Sequence, residues 1–144
     1  MEGTPLINGI RHSWANIRVN IMGRTVQGIT AISYEDKVEK VNSYGAGQYP
    51  VSRGYGRYEA SAKITLKHYE VEAIQTAALA AGVSRLQDIA PFDIVISYLN
   101  PNDKIVTHVI RNCEFTNNKR ELKEGDTGFE TEFDLIVSHI EWGN

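Results

Sequence analysis

Between residues 57 and 68 the chain alternates almost without a break. Tyr58, Ala60, Ala62, Ile64 and Leu66 point one way, and Glu59, Ser61, Lys63, Thr65 and Lys67 point the other. A period of two over that length predicts a half-buried strand. The same rhythm begins at Ser13, where Ala15, Ile17, Val19 and Ile21 share one face and Asn16, Arg18 and Asn20 the other. Met22-Gly23-Arg24 reads as a turn and residues 25–34 as a second strand, with Thr30, Ile32 and Tyr34 in phase. The pair reads as a hairpin, with Gly28 marking a bulge where the phase slips. Glu35 to Ser43 is charged and has only Val38 and Val41 as apolar members. It reads either as a strand extension or as a short irregular turn.

The period changes after the strand over 57–68. Val71, Ile74, Ala78 and Ala81 fall on one helical stripe, which predicts a helix over 70–81. Glu70 and Glu72 suit the positive end of its dipole, as a helix start, and Gly82 is placed to cap the far end; Glu35 and Asp36 read as a solvated turn. Ser84 to Ala90 has room for a short helical turn. Phe92, Ile94, Ile96 and Tyr98 then alternate with Asp93, Val95, Ser97 and Leu99, so both faces are partly apolar and the strand reads as sandwiched. Asn100-Pro101-Asn102-Asp103 is a turn, and its partner strand runs from Lys104 to about Thr116. Asn117 to Gly128 reads as a polar loop or exposed hairpin tip. A last strand spans Phe129 to Trp142, with Phe129, Phe133, Leu135 and Val137 opposite Glu130, Glu132 and Asp134. The fold class expected is mainly β with one helix: an antiparallel β-barrel or sandwich flanked by a single α-helix. Residues 1–144 form one domain on this reading, with residues 1–11 a loosely held arm.

One stretch fits none of these elements. Tyr44, Gly45, Gly47, Tyr49, Pro50, Arg53, Gly54, Tyr55 and Gly56 crowd into residues 44–57. Glycine permits backbone conformations that other residues resist, and proline has no N–H for a sheet ladder. Tyrosine brings large contact area with a polar tip, a combination common at interfaces. The segment therefore reads as an extended loop, mobile in the free monomer, that docks on a partner.

Composition narrows the partner. A charged fraction of 23% and a hydrophobic fraction of 42% are ordinary for a globular domain of 144 residues. The net charge of −3 argues against a dedicated nucleic-acid binder, which carries a basic surplus. With Cys113 as the single cysteine, no intrachain disulfide can form, and a reducing compartment fits. No apolar run reaches the roughly 18 residues of a membrane helix. Met1 to Gly9 lacks a signal-peptide pattern, so a soluble protein made in the cytoplasm is expected.

Catalytic signatures are not found. His12, His68, His108 and His139 show no metal-ligand spacing and read as surface or edge-strand residues. Cys113 sits in a strand pattern, where a lone cysteine is more often a packed small residue than a nucleophile. The glycine stretch has Pro50 where a dinucleotide-binding fingerprint needs glycine, and a strand follows where a helix should. No catalytic residue, metal or cofactor is therefore expected, and no enzyme. Glu130, Glu132 and Asp134 stand out as three acids on one strand face, which repel one another unless the face is well solvated. The face is a solvent-exposed surface or the border of a wet channel.

The run from Gly45 through Pro50-Val51-Ser52-Arg53-Gly54-Tyr55-Gly56, the strand from Tyr58 to Leu66 and the Glu70-led helix together resemble the tail tube proteins of contractile-tailed bacteriophages. The resemblance covers most of the chain in its order of elements. It implies a β-barrel or sandwich with a flanking helix, six copies to a ring, and rings stacked into a hollow tube in the virion tail. It also implies sheath and baseplate proteins as partners and a conduit for DNA or an effector, which passes without specific binding. Residues 44–57 would be the subunit-interface loop, and Glu130, Glu132 and Asp134 the candidate lumen face. Arg18, Lys63 and Lys67 also lie on polar strand faces, so a wall that includes them is not purely acidic. The competing readings are another tail or baseplate component, and a β-sandwich that grips a carbohydrate or peptide on Tyr49, Tyr55 and Tyr58.

Overall fold

The computed structural model describes residues 5–12, 14–118 and 130–143. Its elements are β1 (Leu6–Ile7), β2 (Ile10–Arg11), β3 (Ala15–Ile21), β4 (Arg24–Thr25), β5 (Ile29–Tyr44), β6 (Pro50–Lys67), α1 (His68–Ala80), a 3-10 turn (Leu86–Asp88), β7 (Phe92–Leu99), β8 (Ile105–Phe115), β9 (Glu130–Val137) and β10 (His139–Glu141). The strands form one sheet in the order β2-β1-β5-β6-β9-β8-β7-β3-β4, with β10 added on β8. Its pairings are antiparallel except for β1, which lies parallel to β5. One apolar cluster takes Ile32, Ile64 and Phe133 from β5, β6 and β9, and Val19, Ile94 and Ile110 from β3, β7 and β8. Opposite ends of the sheet share a core, so the sheet curls over on itself. The mainly-β, one-helix architecture is the one the alternation predicts.

The helix packs against β6 and β9 and buries Val71, Ile74 and Ala78. It starts at His68, earlier than the stripe predicts, and Ala81 is exposed rather than part of the stripe. Gly82, at φ +86°, closes it: the Gly82 and Val83 N–H groups donate to Leu79 and Ala78 carbonyls at 3.1 and 2.8 Å.

Other expectations are corrected. Residues 25–34 are not one strand hairpinned to β3. β4 pairs with β3 over two positions only, and the chain then turns through Gly28, at φ +71°, into β5, which pairs with β6. A Cβ at Gly28 would lie 2.8 Å from the hydroxyl of the exposed Tyr69, whose side chain would have to move aside, and the positive φ is what calls for glycine there. The arm is not loose from Leu6 onward: Asn8 donates its N–H to the Ile32 carbonyl and accepts the Tyr34 N–H on its side chain, at 2.8 and 2.9 Å. The last strand breaks at Ser138 into β9 and β10, opposite a bulge at Asn112, φ +53°. Phe129 and the polar segment 119–128 lie outside the described residues.

The largest correction falls on residues 44–57. They are not an unstructured loop. β5 runs on through Tyr44, and β6 begins at Pro50, so residues 35–43 are a strand extension and only 45–49 form the turn. Pro50 is tolerated because it is the first residue of its strand. None of Gly45, Gly47, Gly54 and Gly56 uses left-handed backbone. Gly56 and Gly45 serve by having no side chain: a Cβ would stand 3.0 Å from the Glu39 side chain at the first and 3.3 Å from Val51 at the second.

Candidate functional site

Two surfaces carry the residues singled out above. The first is the far end of the β5–β6 hairpin. β9 accompanies β6 only along Ala60–Lys67, and beyond that point no described strand flanks the pair. Every residue from 37 to 59 is exposed on this two-stranded ribbon. At about 3.3 Å per residue, the strand from Lys37 to Tyr44 reaches roughly 25 Å past the body.

The ribbon has two unlike faces, set by register. Val38 opposes Tyr58, Lys40 opposes Tyr55, and Asn42 opposes Arg53, with a register shift after Val38. This face is aromatic and basic: the Lys40 ammonium lies 5.8 Å from the centre of the Tyr55 ring, and Arg53 Nε donates to Asn42 Oδ1 at 3.0 Å. The other face sets Val41 against Gly54 and Ser43 against Ser52, which leaves it low and partly bare of side chains. Tyr44 ends β5 opposite Pro50, and Gly45, Gly47 and Tyr49 form the turn. Val41, Tyr44, Tyr49, Val51 and Tyr55 are between 57% and 74% exposed, an unusual outlay of apolar surface for so thin an element.

The second surface is the polar face of β5, β6 and β9. Glu130, Glu132 and Asp134 are exposed, and Thr131, Phe133, Leu135 and Val137 are buried behind them. Their neighbours on β6 are Lys67 opposite Glu130, Thr65 opposite Glu132, and Lys63 opposite Asp134. The row of acids is thus flanked by lysines, which relieves the repulsion expected from β9 alone. Ser33, Glu35, Ser61, Lys63 and Asp134 border a shallow open hollow of about 610 Å³ on this side.

Three groups that the sequence reading missed tie these surfaces to the body. Glu70 does lie in the first turn of α1, as read, but it does more than meet the dipole. It is buried, takes a salt bridge from Arg24, and accepts the Gln27 N–H at 3.2 Å. Its place four residues before Ile74 on the buried stripe was the available signal. His108 is not a surface histidine either. It is buried with Nδ1 2.6 Å from the Tyr34 hydroxyl, amid the rings of Tyr98 and Trp142. Burial holds its pKa below the ordinary value, and burial likewise raises that of Tyr34. Asp36 is the third. Its Oδ2 accepts both the Tyr58 hydroxyl and Trp142 Nε1–H at 2.7 Å. His12 stacks on Tyr98, and His139 is exposed. Cys113 is buried, with its thiol pushed up to about 12 by desolvation. Among the described residues, no three His, Cys, Asp or Glu side chains are grouped to hold a metal ion.

Comparison with solved structures recovers the same architecture. A chain of the sheath–tube complex of an extracellular contractile injection system, in its extended state, superposes with a TM-score of 0.61 at 12% identity, covering 87% of this chain and 86% of that one. The fold is one found in contractile injection systems. A chain of the anti-feeding prophage tube-terminating cap gives a TM-score of 0.61 at 14% identity, with 86% and 85% covered. A chain of that particle's six-fold symmetrised baseplate gives 0.53 at 12% identity, with 92% and 93% covered. The resemblance to tail tube proteins read from Gly45 to Gly56 and the strand after it therefore stands at the level of the fold. No family profile matches the sequence. No characterised protein matches it at the sequence level either.

Proposed function

We propose that the chain is a non-enzymatic structural subunit that polymerises into rings, six to a ring, stacked as the inner tube of a contractile tail or injection particle. The observation that carries this reading is the ribbon of residues 37–59. An isolated two-stranded hairpin is marginal in water, and its open edges and exposed tyrosines invite pairing. Such an element is maintained when a neighbour covers it. Head-to-tail contacts of this kind close rings and also continue along an axis. The interface would comprise Tyr44, Gly45, Gly47, Tyr49, Pro50, Arg53, Gly54, Tyr55 and Gly56. The hollow polar face with Glu130, Glu132 and Asp134 would line the channel, through which DNA or an effector passes unbound. Sheath and baseplate proteins would be the outer partners, and the virion or particle tail the location. The likeness to chains of a sheath–tube complex, a cap and a baseplate supports a tail role.

A cap or baseplate ring is the second reading, favoured by the equal TM-scores of the tube-complex and cap chains, both 0.61. Negative-stain microscopy separates the two: long tubes of uniform width for a tube subunit, single rings for a cap or baseplate part. The companion variant replaces residues 42–53 with a two-residue Asn-Gly turn joining Val41 to Gly54, which are cross-strand partners. It is expected to remain a folded monomer. A parent chain that stays monomeric at high concentration, or a shortened chain that assembles like its parent, refutes the assembly role of the hairpin.

A further inference from the structure

The ribbon leaves the body at a defined place, and the C-terminal segment crosses that place. Core-facing positions on β5 run Ile32, Tyr34, Asp36, Val38, and on β6 Leu66, Ile64, Ala62, Ala60, Tyr58. Burial stops at Tyr34 and Ala62. Asp36 and Tyr58 are the next polar groups outward, and they are joined: the Tyr58 hydroxyl donates to Asp36 Oδ2 at 2.7 Å. The segment after β9 closes on both. The Ile140 N–H donates to the Tyr58 oxygen at 3.2 Å, and Trp142 Nε1–H donates to the same Asp36 oxygen at 2.7 Å. Trp142 is itself held, with its ring 5.4 Å from Tyr34 and 4.9 Å from His108. Directly beyond the Val38–Tyr58 pair, between Val38 and Lys40, the register shifts, where Gly56 faces Glu39. A bulge bends and twists its strand, so the ribbon has a natural hinge directly beyond the last bonds that fix it.

We infer that Asp36, Tyr58 and Trp142 form a latch through which the C-terminal segment positions the hairpin: Asp36 is the shared acceptor, and Trp142 the anchor into the aromatic cluster. A projecting ribbon must meet its partner at a fixed angle, and without a support at the root the hinge would spread that angle over many orientations. The shared carboxylate makes the support cooperative, because each donor holds Asp36 in place for the other. The residues position the ribbon and need not touch the partner. For its consequence in assembly, the inference rests on the function proposed above; for the posture of the ribbon it does not.

The test uses the full chain with Tyr58→Phe, which keeps the ring and removes both the donation to Asp36 and the acceptance from the Ile140 N–H, and with Trp142→Phe, which keeps an aromatic ring and removes the indole donor to Asp36. Amide exchange is measured in dilute solution. Each hydrogen bond lost predicts roughly 2- to 10-fold faster exchange at residues 38–42 and 53–57, so the effect of Tyr58→Phe is expected to exceed that of Trp142→Phe. Residues 62–66 and 94–96, in the core strands, are expected to keep their parental rates. Unchanged exchange in the ribbon overturns the latch. Equal acceleration in ribbon and core strands also overturns it, since the side chains would then only hold the body together. Trp142→Ala adds a control: if it loosens the ribbon and Trp142→Phe fully restores the parental rates, ring packing rather than the bond to Asp36 is responsible, and the latch as drawn is wrong. Microscopy of the same variants separates the two claims. A loosened ribbon with impaired tubes or rings supports both, whereas a loosened ribbon with normal assembly leaves the latch standing and refutes the role of the hairpin in assembly.

Discussion

Removing Arg24 should cost more than removing the charge of Glu70, although the two form one salt bridge. Glu70 is 1% exposed in the first turn of α1, whereas the Arg24 side chain is 38% exposed. Arg24→Met keeps the apolar stem and deletes the guanidinium, leaving a buried carboxylate with one remaining donor, the Gln27 N–H. Breaking a fully buried pair from one side costs about 3–5 kcal/mol. That backbone donor and the positive end of the helix lower the expected loss to about 2–3 kcal/mol. Glu70→Gln leaves Arg24 facing water and keeps an acceptor for Gln27, so about 1 kcal/mol is expected. Urea unfolding followed by far-UV circular dichroism in dilute solution measures both. The reasoning is refuted if Glu70→Gln costs as much as Arg24→Met.

Ile74→Asp places an unpaired charge at a position 2% exposed and should destabilise by about 3 kcal/mol or more; unchanged thermal stability would mean that α1 does not pack on β6 and β9. The pKa of His108 is lowered in the folded state, so unfolding takes up a proton. Its contribution is complete above the ordinary value of about 6.5 and fades as the pH falls below it. His108→Gln should therefore show a flatter fall in melting temperature between pH 7.5 and 5.5 than the parent, and parallel curves would exclude His108 as the source. Cys113, with its thiol pushed up to about 12, should resist a disulfide reagent at pH 8 until the chain is unfolded; rapid labelling of the native protein would contradict the burial described.

The body of the fold was legible because burial writes a period into the sequence. β3, the inner half of β6, β7 and the buried stripe of α1 each alternate as their packing requires. The same rule carried two signals that were passed over. Asp36 is in phase with Ile32 and Tyr34, and Glu70 with Ile74 and Ala78, yet the sequence reading makes Asp36 part of a solvated turn and Glu70 only a helix start. Each proved to be a polar group that the core face reaches and satisfies. The false reading of residues 25–34 had another origin. A glycine with positive φ can end a strand as readily as bulge it, and only the pairing partners, β3 for Thr25 and β6 for Ile29, distinguish the two.

The ribbon was misread as a loop for a more general reason. Strand alternation is a record of one buried face, and residues 37–59 bury neither face in the single chain. Their register comes from the pairing of β5 with β6, which leaves no apolar period. On the proposed reading, this segment is the one that a second copy covers, which would account for its exposed tyrosines and valines. The polar face behaves in the opposite way. Its acids repel one another when β9 is read alone, but the face is built from several strands. With Lys63 opposite Asp134 and Lys67 opposite Glu130, the charges of β9 are largely offset by its neighbour. On the proposed reading the channel then meets a polyanion with a face of mixed charge rather than with a row of acids alone. A basic wall would hold phosphates by counterion release, and a strongly acidic one would oppose their entry over about a Debye length. A face that mixes both signs avoids either extreme, which on the proposed reading suits a conduit.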